Sequence, residues 1–349
     1  MKKHILIFAA AFFAVFTLFA GGKKDNSAAN SSAPKIVTTI FPEYDWVNNI
    51  LGQNPANAEL TMLLSSGADL HSYQPTVADI MKISTCDLFV YVGGESDKWV
   101  DDALKEAVNK DMVVINLLET LGDKVKEEEL VEGMQGEDEE HEHHHDHDDD
   151  DDEDADGHHE HHHDEEEAEY DEHVWLSLKN AAILCDALTD AICKIDAPNA
   201  ATYKANAASY IAKLNALDAK YTEVVENSAV KTLLFGDRFP FRYLVDDYGL
   251  SYYAAFVGCS AETEASFETI AFLAKKVDEL SLGTILTIEG NNHKIAQTIA
   301  QNTKAKNQKI LTLDSMQFVT SKDVKNGANY LSIMETNLET LKTALGASK

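Results

Sequence analysis

From Ala200 onward, apolar side chains recur at Tyr203, Ala207, Tyr210, Leu214, Leu217, Tyr221 and Val224, with no Gly or Pro between them. Steps of three and four residues trace one face of an α-helix. Roughly 27 residues at about 1.5 Å each reach about 40 Å, enough to cross a whole domain. A flexible hinge is not built this way. The stretch predicts a stiff connector over residues 197–227 that divides the chain into two parts, 35–196 and 228–349. The length agrees, since 349 residues at about 100–200 per domain suggest two.

Strands and helices alternate on both sides of the connector. Apolar, β-branched runs over 35–40, 59–64, 88–92 and 112–117 read as strands, with helices over 44–51, 77–84 and 97–108 between them. Thr76 stands where an N-cap should. After the connector, strands are expected at 232–235, 252–256, 283–288 and 309–313, with helices at 241–248, 267–280 and 292–301. A last helix over 329–345 carries Leu331, Met334, Leu338, Leu341 and Leu345 on one face. The expected class is α/β: two lobes, each a mostly parallel sheet flanked by helices, joined by one rigid helix. In such sheets ligands sit in the loops that follow the strands' carboxyl ends.

Residues 127–172 break this pattern. They contain no Lys or Arg and carry 26 of the 60 acidic residues, so nearly all of the formal charge of −31 sits there. Ten of the 14 histidines lie in the same tract: His141, His143, His144, His145, His147, His158, His159, His161, His162 and His163. Such a stretch buries too little apolar surface to offset its ordering entropy and is expected to be a disordered insertion. Imidazole with carboxylate suits borderline divalent metals, zinc first. Crowding by carboxylates favours protonated imidazole, so these ten residues are expected to act only as weak accessory metal ligands. The acidity also argues against nucleic acid as a partner.

At the amino end, Lys2-Lys3, an apolar run over 5–19 and the small residues Ala20-Gly21-Gly22 form an export signal. A run of about 15 residues is short for a membrane span. Leu18-Phe19-Ala20-Gly21 resembles a lipoprotein box, but Gly21 stands where the lipidated Cys should be. Cleavage after Ala20 is therefore expected, followed by a polar linker over 21–34, with the protein in the periplasm or at the outer face of the cytoplasmic membrane. The four cysteines, Cys86, Cys185, Cys193 and Cys259, form no C-x-x-C pair and no dense disulfide framework; a single bridge is possible, with no pairing assigned.

Outside the tract, His71 and His173 each sit in a short motif ahead of a helix. Glu289 and Asp314 end predicted strands, which points a carboxylate toward a cleft and equally suits helix capping. Asp237, Arg238 and Cys259 are further strand-end residues. An anionic Asp or thiolate suits zinc, while Arg238 also suits pairing with a carboxylate.

Gly67-x-Asp69-x-His71-x-Tyr73-x-Pro75-Thr76 and Asp171-x-His173-Val174-Trp175-Leu176 resemble the two signatures of the zinc/manganese-binding solute-binding proteins of bacterial ABC importers. The acidic, His-rich insertion before the second His is typical of that family's zinc members. The likeness extends over the long helix, Asp246-Asp247-Tyr248-Gly249-Leu250, Glu289 and Leu313-Asp314, from about residue 35 to the end. It implies one metal bound between two lobes and delivered to a membrane permease and its ATPase by a monomeric, non-enzymatic receptor. His71 and His173 match the first lobe's ligands, and Asp314 matches a carboxylate of the second. The chain departs from the family at Phe235-Gly236-Asp237-Arg238-Phe239-Pro240-Phe241-Arg242, where zinc members carry a third His. Asp237, Cys259 or water is left to fill that place, and His293 follows a different strand. Zn²⁺ is the expected cargo, with Mn²⁺ or iron as the alternative. An extracytoplasmic zinc hydrolase with Glu289 as base fits less well, because H-E-x-x-H and a nucleophile elbow are both missing. A metal buffer or adhesin is the third option.

Overall fold

A computed structural model describes residues 33–136, 169–260, 264–290 and 293–347. The leader, most of the linker and all ten histidines of the acidic tract lie outside the described residues.

Among the described residues, eight strands build two sheets. β1 (Lys35–Thr38), β2 (Glu59–Met62), β3 (Leu88–Tyr91) and β4 (Val113–Asn116) pair in the order β2-β1-β3-β4, all parallel. β5 (Thr232–Phe239), β6 (Ser251–Val257), β7 (Thr284–Thr287) and β8 (Lys309–Thr312) pair in the order β6-β5-β7-β8, again all parallel. The same order thus occurs twice. In each sheet the winding reverses between the first strand and the third, which opens a crevice at their carboxyl ends. Every residue of β3 and of β7 is buried. Helices covering both faces of a parallel sheet explain why these strands read as continuous apolar runs.

The helices of the first half are α1 (Phe41–Leu51), α2 (Val77–Thr85), α3 (Trp99–Lys105), α4 (Leu117–Leu121) and α5 (Leu178–Ile195). α6 (Ala200–Glu226) is the connector, at 27 residues. α7 (Arg242–Tyr248), α8 (Phe267–Glu279), α9 (Lys294–Asn302), α10 (Ser321–Lys325) and α11 (Tyr330–Ala344) complete the second half. All seven apolar positions read from the α6 periodicity are buried.

That face of α6 belongs to one continuous core containing Trp46 and Leu184 from the first half and Phe235, Leu313 and Tyr330 from the second. A smaller core of Leu234, Phe256, Leu273, Val277, Ile285 and Ile299 serves the second half alone. Polar clips reinforce the shared core. The Asp45 carboxylate of α1 accepts from Tyr210 Oη of α6 and from Tyr330 N of α11, both at 3.2 Å. Trp46 meets Tyr330 edge to face, with ring centroids 5.3 Å apart. Each such side chain is worth about 1.5–3 kcal/mol when fully buried, so the joint between the halves resists opening.

Several sequence expectations change. β5 continues past Phe235 to Phe239, with a register shift against β6 between Phe235 and Arg238. Asp237 and Arg238 therefore lie inside a bulged strand and not at its end. Gly236 makes this possible, because a Cβ there would lie 2.5 Å from Ala296 Cα of α9. The helix expected over 97–108 is a short 3₁₀ turn followed by α3, and α4 and α10 were not anticipated. The ends of the acidic tract are part of the fold: Glu128 N donates to Glu169 O, Asp171 N to Lys126 O and Gln135 N to Ala255 O, each at 2.9 Å. Paired backbone of this kind is incompatible with disorder over all of 127–172. All four cysteines are free, so the single bridge left open falls away. Among the described residues, no helix is long and apolar enough to cross a membrane.

Candidate metal centre

His71 lies in a 3₁₀ turn, Leu70–Ser72, between β2 and α2. Asp69 caps the turn, its Oδ1 accepting from His71 N at 3.1 Å, and Leu70 anchors it in the core. On the far side, Thr76 and Asp79 form a reciprocal capping box that starts α2. The backbone on both sides of the imidazole is thereby held. His71 Nδ1 lies 2.8 Å from Ser96 Oγ and 3.4 Å from Glu172 Oε2. Ser96, in the loop after β3, also donates its backbone N–H to Glu172 Oε1 at 2.8 Å. Gly94 permits this approach: it has φ +81°, and a Cβ there would lie 2.4 Å from Glu172 Oε1. Burial alone would raise the Glu172 carboxyl, yet hydrogen bonds from His71 and Ser96 outweigh it and hold the group below its ordinary value.

His173 is completely buried. Asp171 Oδ1 accepts from His173 N at 2.8 Å and faces Nδ1 at 3.0 Å. The second half fixes this segment in turn. Tyr243 Oη of α7 donates to Asp171 O at 2.7 Å, and Trp175 Nε1 donates to Ser315 O at 2.8 Å. Tyr330 Oη reaches Trp175 O at 2.6 Å. With both Nδ1 atoms facing carboxylate or hydroxyl partners, the two Nε2 atoms face each other at 3.2 Å.

Cys259 arrives from the loop after β6. Gly258 lets that loop pass the imidazole, since a Cβ there would lie 3.0 Å from His173 Cε1. Cys259 N donates to Glu128 Oε1 at 3.1 Å. The ligand atoms of His71, His173 and Cys259 all lie within 4.8 Å of one another. Burial, then the carboxylates of Glu128, Asp171 and Glu172, push the thiol well above its ordinary value. Tetrahedral zinc, with Zn–N of about 2.0–2.1 Å, places two imidazole nitrogens about 3.3 Å apart. The spacing between the two Nε2 atoms is close to that, and two imidazoles with a thiol make a zinc-type donor set.

The other sequence candidates do not join this group. Asp314 Oδ1 accepts from Met316 N at 2.8 Å, and burial with the nearby Glu289 charge pushes its carboxyl up to about 7. Glu289 binds the loop after β8, accepting from Ser315 N at 2.6 Å, Ser315 Oγ at 2.8 Å and Gln317 N at 2.9 Å. Asp237 accepts from Arg238 N at 2.9 Å and Ile288 N at 3.3 Å. Arg238 pairs with Asp69 at 2.7 Å; burial opposes the Asp69 charge, but Arg238 and His71 hold that carboxyl below its ordinary value.

Sequence reasoning passed over four groups that contact the candidate ligands: Ser96, Glu128, the Asp171 side chain and Glu172. Asp171 could have been found from its place two residues before His173. Glu128 and Glu172 look like any other acid of the tract, and nothing in the sequence marks Ser96.

The profile of the family described as zinc-uptake complex component A, periplasmic, matches residues 36–344. The chain is 31% identical over 346 residues to the zinc-binding protein AdcA of Streptococcus pyogenes, covering 98% of this chain and 61% of AdcA. It therefore spans about three fifths of the length of that relative. With the high-affinity zinc uptake system protein ZnuA of Bacillus subtilis it shares 30% identity, over 99% of this chain and 98% of that protein. The Zn(II)-bound ZnuA-like domain of AdcA from Streptococcus pneumoniae has a similar fold, with a TM-score of 0.66 at 27% identity, covering 90% of this chain and 99% of that domain.

Proposed function

This chain belongs to the periplasmic zinc-uptake complex component A family, and from that premise we propose that it is an exported receptor that captures Zn²⁺ with His71, His173 and Cys259 and passes it to an ABC permease and its ATPase. The observation that carries the reading is the convergence of two imidazole nitrogens and one thiol from opposite halves of the fold, with ligand atoms within 4.8 Å. Each imidazole has a partner on its other nitrogen. Asp171 on His173 and Ser96 with Glu172 on His71 orient the rings and favour the tautomer that leaves Nε2 free for metal.

The donor set supports zinc over manganese. A thiolate is a soft ligand that suits zinc, whereas manganese favours carboxylate and water. In this reading Cys259 supplies the ligand that a third His supplies in the zinc members the sequence resembles. Metal displaces the thiol proton on binding, and the neighbouring Glu128 carboxylate relays it to solvent. Asp314 and Glu289 serve the site indirectly, by shaping the loop whose Ser315 carbonyl holds Trp175. The core shared between the halves restricts a wide clamshell motion, so the permease would read a small tilt or a local loop change.

Competitive titration of Zn²⁺ against Mn²⁺ tests this reading, with bound metal measured for the wild type and for His71→Ala, His173→Ala and Cys259→Ser. One tight zinc per chain, weakened by each substitution, is expected. Manganese outcompeting zinc at matched free concentrations, or full zinc affinity in Cys259→Ser, would overturn it.

A further inference from the structure

Two of the three proposed ligands sit on loops that belong to different halves of the molecule, and one side chain touches both loops. Arg238 lies in the bulged part of β5 and is 9% exposed. Its Nη2 donates to Asp69 Oδ2 at 2.7 Å, across 169 residues of sequence. Its Nη1 donates to Ser260 O at 3.2 Å. Asp69 is the cap of the His71 turn and spends its other oxygen on His71 N. Ser260 immediately follows Cys259. One rigid guanidinium therefore spans from the backbone that sets His71 to the backbone that sets Cys259.

We propose that Arg238 is a positioning residue that holds the Cys259 loop against the His71 turn, so that the thiol reaches the metal bound by the two imidazoles. This rests on the ligand reading given under Proposed function. The physical case is the planar fork. Two nitrogens fixed relative to each other satisfy two acceptors at once, whereas a lysine ammonium is a single flexible point charge. A cation next to a metal site would ordinarily repel the incoming ion. The Asp69 carboxylate neutralises it, so the pair adds geometry to the site without net charge. The bulge that places Asp237 and Arg238 inside β5 is what aims the guanidinium across to the first half.

The test uses the full chain loaded with Co²⁺, whose thiolate-to-metal charge-transfer absorption reports the sulfur ligand directly, together with zinc affinity measured against a competing chelator. Arg238→Met and Asp69→Asn are expected to weaken zinc binding about 10–100-fold, the range for groups that orient metal ligands, and to diminish the charge-transfer band. Arg238→Lys keeps the charge but loses the fork, and is expected to recover only part of the affinity. In a Cys259→Ser background, Arg238→Met should add less than about twofold, because the ligand it positions is already gone. Near-ultraviolet circular dichroism of the metal-free variants establishes that they fold. If Arg238→Met does not fold, Arg238→Lys and Asp69→Asn carry the same comparison. An undiminished band in these variants, or a loss that adds in full to that of Cys259→Ser, would overturn the role of Arg238 while leaving the ligand set intact. A wild-type protein that binds Co²⁺ without the band would overturn the ligand set and this role together.

Discussion

Replacing Glu43 with Gln should change how stability depends on pH. Glu43 is fully buried in the first turn of α1. Its Oε2 accepts from Thr39 N at 2.8 Å, Thr39 Oγ1 at 3.0 Å and Ile40 N at 3.2 Å, which ties down the carboxyl end of β1. Its Oε1 and Asp97 Oδ1 are both buried without a hydrogen-bond partner. Asp97, the residue after Ser96, does the equivalent work after β3, accepting from Val92 N and Gly93 N at 3.0 Å each. Burial first, and the Asp97 charge second, push the Glu43 carboxyl from 4.5 to about 8. The folded state thus holds this proton more tightly than the unfolded chain. The resulting stability is fully present below pH 4.5 and is lost as pH rises through about 8. At about 1.36 kcal/mol per pH unit, the swing is on the order of 5 kcal/mol between pH 4 and pH 9. A Gln at this position keeps an oxygen for the three donors and never ionises. Urea unfolding of metal-free wild type and Glu43→Gln, followed by tryptophan fluorescence at pH 5, 7 and 9, measures the difference. Near-equal stability is expected at pH 5, with the variant ahead by a few kcal/mol at pH 9. Parallel pH profiles, or a variant less stable than wild type at pH 9, would refute the assignment of a buried protonated acid.

Other outcomes follow from the same geometry. Asp171→Asn should weaken zinc binding about 10–100-fold, or about 1.4–2.8 kcal/mol, by loosening the imidazole it orients; unchanged affinity in a chelator competition would remove Asp171 from the site. Because the Cys259 thiol is raised well above its ordinary value, it is protonated at neutral pH and must lose its proton to solvent when metal binds. Titration calorimetry in buffers of different ionisation enthalpy should therefore show one more proton released in wild type than in Cys259→Ser, and equal proton release would contradict a thiolate ligand. Deleting residues 137–168 should lower metal stoichiometry while sparing one tight site, whereas deleting 127–172 should abolish that site by removing Glu128, Asp171 and Glu172; identical behaviour of the two deletions would refute this division.

The fold was legible where its causes are local. The α6 periodicity needs only spacing, and all seven positions read from it are buried, with Val225 beside them. Buried parallel strands announce themselves as short apolar runs, so all eight were found, with ends displaced by a few residues. His71 and His173 were legible because capping residues and aromatic anchors lie beside them in sequence. The rest was not. Asp237 and Cys259 stood as equals on sequence, both read as strand-end residues of the second half. The bulge in β5 separated them, turning Asp237 onto Ile288 N and Arg238 onto Asp69. Glu128 and Glu172 carried no mark to distinguish them from the other acids of their tract.

What the chain determined by itself was the stiff connector, the parallel α/β class and the two histidine motifs, since each depends on residues within a turn or two of one another. What only the tertiary structure decided was which thiol or carboxylate stands beside those imidazoles and which groups orient them. Those choices depend on strand register, one bulge and the meeting of loops from opposite halves, and no local pattern encodes the distance between residues that far apart in the chain.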